Sequence, residues 1–175
     1  MPDRFAAAVG AVRCYLTAVL EAFGGPISPE SLGPLRRTAE VEAANVEATF
    51  QRVVGEPSRL RGRIGKVFML VIYVHRLCRH TIALEAHLGT EHPPASELAE
   101  LRRLLDGGLE DVAAAVKQGR APGPRPPFDA PLAGIRDALT AAPGRGGLDR
   151  LLGQIVSDVT ALNSAAAAAA GVART

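Results

Sequence analysis

Four histidines are the first residues here whose chemistry could matter: His75, His80, His87 and His92. On a helix, residues five apart are separated by roughly 140°, so His75 and His80 do not share a face. His80 and His87 share a face but stand about two turns apart, too far to hold one ion together. The sequence has no HExxH and no Glu-x-x-His pair of the kind that di-iron helical bundles use. These rings are expected to be structural or solvent-facing, with no metal and no other cofactor. Nucleophilic chemistry fares no better. Ser28, Ser31, Ser58 and Ser96 fall at expected helix starts or loops, where capping explains them, and GxSxG is absent. Cys14 and Cys78 lie in apolar helical patterns without CxxC spacing, and are expected to be small buried hydrophobes. Neither GxxxxGK[ST] nor a strand-linked GxGxxG occurs, so the glycines punctuate helices instead of cradling phosphate. The expectation is a protein without catalysis.

Charge is more informative than nucleophiles. Between Arg36 and Arg79 there are nine basic residues against four acidic, and between Glu85 and Asp111 seven acidic against two basic. The chain is therefore electrically polarised although its net charge is only +2. Ordinary solvated faces that complement one another in the bundle explain most of this. The sharper reading takes Arg59, Arg61, Arg63 and Lys66 as candidate contacts to an anionic surface, a weak attraction to anionic lipid included. Nucleic acid is not expected, because no aromatic residues interleave with these arginines to stack bases.

The elements that would position these groups are helices. The chain has 175 residues, 47% hydrophobic but only 4% aromatic, with no Trp, so its core must be aliphatic. Period-two alternation of β-branched residues is nearly absent, which excludes a β-sandwich. Apolar stripes at three- and four-residue steps predict helices over about 4–23, 28–54, 58–88, 96–118, 130–141 and 148–168. In the third, Val67 to Val74 is apolar on every face, which predicts burial of Val67, Val71 and Val74 on all sides. Gly107 and Gly108 predict a kink or a close helix contact in the fourth. The six alanines from Ala165 are expected to bury little and to fray. The predicted fold class is all-α. An antiparallel bundle of four long helices (1–118) precedes a proline-rich linker (119–129), and a C-terminal helical pair (130–175) packs back on the bundle, in one domain.

The N-terminus lacks the pattern of a signal peptide. The longest strongly apolar run, Val67 to Val74, is eight residues, whereas a spanning helix needs about twenty. By that measure the chain has no transmembrane segment of its own.

Residues Ala44 to Pro57, ANVEATFQRVVGEP, followed by a long helix ending in RLCRHTIALEAHL (Arg76 to Leu88), resemble a known family. The likeness is to the C-terminal cytoplasmic region of the fusaric acid resistance (FUSC-like) family of bacterial inner-membrane proteins, relatives of aromatic acid exporters. It covers roughly Phe5 to Gly119 and is sharpest at Asn45, Glu47, Gln51, Arg52, Glu56 and Pro57. The resemblance implies a helical assembly or regulatory domain on the cytoplasmic side of the bacterial inner membrane. Its partner would be the membrane portion of a parent transporter or another subunit, with homo-oligomers allowed. The bland role for Asn45, Glu47, Gln51 and Arg52 is to fix the second helix against the third, with Glu47 and Gln51 interacting at i,i+4. The alternative function is a free-standing helical protein-interaction module.

Overall fold

The computed structural model describes residues 1–25, 29–55, 61–140 and 147–172, with only the backbone described at 29, 30, 53, 55, 61–64, 66 and 172. The described residues are all-α, in six helices: α1 (Pro2–Ala22), α2 (Pro29–Gly55), α3 (Arg61–Glu85), α4 (Ala95–Gln118), α5 (Asp129–Thr140) and α6 (Leu148–Val172).

The stripes read from the sequence become the core. On α1, Phe5, Val9, Val12, Leu16 and Val19 are buried; on α6, Leu148, Leu152, Ile155, Val159 and Leu162 are. The grouping of helices differs from the one expected. α1 packs on α2, α3 and α4, while α6 packs on α3, α4 and α5, and the broadest interfaces are α3 with α6 and α1 with α4. A ring of α1, α3, α6 and α4 thus encloses the core, with α2 on one flank and α5 on the other. Among the described residues α2 and α4 do not pack together. The buried side chains of α2, Leu32, Ala39, Ala43, Val46 and Phe50, belong to a helix that among the described residues packs on α1 and α3 alone. Polar partners show that α1 and α4 run in opposite directions. Arg13 of α1 lies 3.0 Å from Glu110 of α4, and Glu21, two turns on, pairs with Arg102.

One local expectation changes and two others gain detail. The polyalanine stretch is helical to Val172, and Ala166 and Ala170 are buried, because a side chain this small lets helices approach closely. The proline-rich linker is strapped to the bundle. Gly119 caps α4 in the left-handed region at φ 65°, Asn163 donates to the Gly123 carbonyl at 3.3 Å, and Phe128 is fully buried. Gly108 is the close contact foreseen in α4: a Cβ there would sit 3.3 Å from Pro126 Cγ. No break interrupts the helix at these glycines. Gly107 faces open space, so Gly107→Ala is expected to stabilise by about 0.5–1 kcal/mol through the unfolded chain. A melting midpoint raised by roughly 2–3 °C is the expected reading, and a lowered one would count against a regular helix here.

Two helices overturn the expectation about membrane-spanning length, and with it the placement of the chain wholly on the cytoplasmic side. Pro2–Ala22 and Val67–Glu85 are both long and apolar enough to cross a membrane, each with a mean hydropathy of 1.4. Counting an unbroken apolar run missed them, because single charged residues among alanine, leucine and valine end a run while barely lowering an average. The windows are 44% and 39% buried within the bundle, so the same apolarity also supplies its core.

Candidate functional site

The interior carries polar side chains that periodicity did not reveal. Tyr15 of α1, fully buried, donates a hydrogen bond from its hydroxyl to Glu85 Oε2 of α3, and Arg36 Nη1 of α2 lies 3.6 Å from the same oxygen. Three helices are joined at this point. Burial first, then the hydrogen bond and charge of Glu85, hold the Tyr15 hydroxyl far above the ordinary tyrosine range. A raised folded-state pKa means that its stabilisation is complete below about pH 10 and is lost as pH rises beyond it. Tyr15→Phe should cost about 1 kcal/mol at neutral pH and make stability fall less steeply above pH ~10. Urea melts across that range read both effects; parallel alkaline limbs would contradict the assignment.

Each of three histidines meets a carboxylate. His75 Nε2 lies 3.1 Å from Glu47 Oε2 across α2 and α3, and His87 Nδ1 lies 3.0 Å from Glu91 Oε1. His80 Nδ1 lies 2.7 Å from Asp158 Oδ2 of α6, whose side chain is only 1% exposed. Arg76 Nη2 stands 2.9 Å from Asp158 Oδ1, as a charge contact without hydrogen-bond alignment, since that oxygen is otherwise unpartnered. The His75 contact likewise lacks hydrogen-bond alignment. Among the described residues no three His, Cys, Asp or Glu side chains converge as a metal site. The His75 and His80 pairs tie α3 to α2 and to α6, and the His87–Glu91 pair is local to the connection after α3. Cys78 is buried as expected, and burial, aided by the charge of Glu40, pushes its thiol up to about 11. Cys14 is exposed, contrary to expectation, since its place on α1 falls beside the buried stripe and not on it.

Of the residues that carry the family resemblance, Asn45, Glu47, Gln51 and Arg52 lie along the second half of α2. Asn45 is half-buried, with Nδ2 3.5 Å from Glu42 Oε1. Glu47 turns to His75 and so ties α2 to α3, in place of the expected pairing with Gln51. Gln51 and Arg52 are exposed, and Arg52 Nε donates to the Ala48 carbonyl at 3.3 Å. Glu56, Pro57 and Arg59 lie outside the described residues. Arg61, Arg63 and Lys66 fall in the first two turns of α3, where only the backbone is described.

The sequence reading missed what lies beside them. Val71 and Val74 are buried, but Val67 is only half-buried, and Phe68 and Met69 are 45% and 38% exposed. A segment apolar on all faces gives periodicity no face to choose, so the uncovered side could not be read. The Phe68 ring stacks on Phe50 of α2 with centroids 5.6 Å apart, and Val54, one turn beyond Phe50, is 41% exposed. The corner where α2 ends and α3 begins therefore presents an apolar surface beside Gln51 and Arg52. Large apolar side chains grouped in the open mark a contact surface more often than isolated ones do. No family model, curated protein or solved structure matches this chain.

Proposed function

We propose that this chain is a non-catalytic assembly or regulatory module of a membrane export system of the FUSC-like type. The observation that carries the reading is the α2–α3 corner. There Val54, Phe68 and Met69 are uncovered next to Gln51 and Arg52, two of the residues on which the family resemblance rests. A working surface of this kind suits docking, and the interior polar groups are engaged in joining helices. The partner is the membrane portion of the exporter or another of its subunits. The packed helices hold the corner in place.

Deletion of the coding segment in its own host tests the reading. The expected result is greater sensitivity to aromatic organic acids, restored by the intact chain. Unchanged sensitivity and unchanged acid efflux would overturn it.

A further inference from the structure

We infer that residues 119–125 form a latched strap that opens apart from the rest of the fold, released when the Asp111 carboxylate gains a proton. The connection from α4 to α5 is held differently in its two halves. Its second half is anchored by apolar burial: the Phe128 side chain is fully covered, and Pro126 packs over Gly108 of α4. Residues 121–125 have no such anchor. Among the described residues, none of their main-chain groups bonds to another main-chain group, and all but the half-buried Pro122 are exposed. What fastens them is chiefly the peptide of one residue. Gly123 donates its N–H to Asp111 Oδ2 of α4, and its carbonyl accepts from Asn163 Nδ2 of α6 at 3.3 Å. A Cβ at residue 123 would stand 3.2 Å from Asp111 Oδ2, so the close approach suits a glycine. Arg120 adds a charged contact, its Nη2 donating to Asp111 Oδ1 at 2.7 Å.

One carboxylate thus accepts from two points of the strap, and it lies within reach of water. The Asp111 and Arg120 side chains are 34% and 43% exposed. A segment held by a few exposed polar contacts, with little apolar burial, opens locally at far lower free energy than the whole fold. The Gly123 N–H first, then Arg120, hold the Asp111 carboxyl below the ordinary aspartate range. A carboxyl held low in the folded state contributes its stability above that range and loses it as pH falls through the folded value. Arg120 is the charged group that faces Asp111 from the strap, while α6 presents the neutral Asn163. Glu110 of α4 is turned to Arg13 of α1, and Arg125 to Asp129. Opening sets free a cationic, proline-rich loop, Arg120 to Arg125, hinged at the Phe128 anchor. Lowered pH becomes the signal for its exposure.

Two measurements test the latch. In the unsubstituted chain, the Gly123 amide proton, bonded to a carboxylate, should resonate downfield at neutral pH. It should move upfield on acidification, with a midpoint below that of an aspartate in an unstructured peptide. Far-UV circular dichroism should stay unchanged through that step. The second measurement is trypsin cleavage at neutral pH, read by mass spectrometry at the Arg120–Ala121 bond; Arg125 precedes a proline, which trypsin does not cut. Asp111→Ala should raise the rate at Arg120 about tenfold, the worth of one charged hydrogen bond, while melting stays within about 3 °C of the parent. Should that variant fold poorly, the amide titration of the parent decides alone. A Gly123 resonance that does not titrate, or helicity lost in the same step, would overturn the proposal. So would equal cleavage of parent and variant after Arg120, or a rise in cleavage shared by sites outside the strap.

Discussion

Val71→Asp is expected to unfold the protein. Val71 is 3% exposed on α3, the helix that packs against α1, α2 and α6. It belongs to the apolar core cluster, so the new carboxylate would be buried among aliphatic side chains. Such burial costs about 4–5 kcal/mol or more, against a total margin of roughly 5–15 kcal/mol for a domain. Three residues away the same change should be mild. Phe68→Asp places its charge where 45% of the side chain already meets water, and should cost only about 1 kcal/mol through the lost Phe50 stack. Circular dichroism melts of the two variants read the contrast. Equal melting points would contradict the assignment of a covered and an uncovered side to this helix.

The second large effect belongs to Asp158. Its side chain is 1% exposed between His80 at 2.7 Å and Arg76 at 2.9 Å, and these contacts cross the broad α3–α6 interface. Asp158→Ala removes a buried carboxylate that is hydrogen-bonded to His80 and in charge contact with Arg76, and leaves both facing α6. His80 and Arg76 are 24% and 51% exposed, so each can recover part of its hydration. That limits the expected loss to about 2–3 kcal/mol, or a melting point lower by roughly 4–10 °C. A double-mutant cycle with His80→Ala should show coupling of about 1–2 kcal/mol. Additive losses would mean that the pair does not clasp the two helices.

How far the sequence could be read depended on whether one side of an element differs from the other. On α1, α4 and α6 a single apolar stripe alternates with polar residues, so both the helix and its buried face were legible. On α3 the segment from Val67 to Val74 is apolar all round, and hydrophobic pattern carries no information about which side is covered. The exposed Phe68 and Met69, the centre of the candidate site, were therefore missed, although the neighbouring basic residues were picked out. The clasps Tyr15–Glu85 and His80–Asp158 join residues 70 and 78 positions apart, and no spacing rule reaches that far. The place of α6 in the central ring was hidden for another reason. Its alanine-rich end looks too small to hold a core, yet small side chains are what allow neighbouring backbones to come close.

The central claim is that the α2–α3 corner is a working surface, and one measurement tests it most directly. A chain with Phe68→Ser and Met69→Ser is introduced into the deletion strain, after its helicity and melting have been compared with the parent. Both positions are more than a third exposed, so the variant should melt within about 3 °C of the parent. The expected result is a folded protein that does not restore resistance to aromatic organic acids. Full restoration of resistance by this folded variant would contradict the claim.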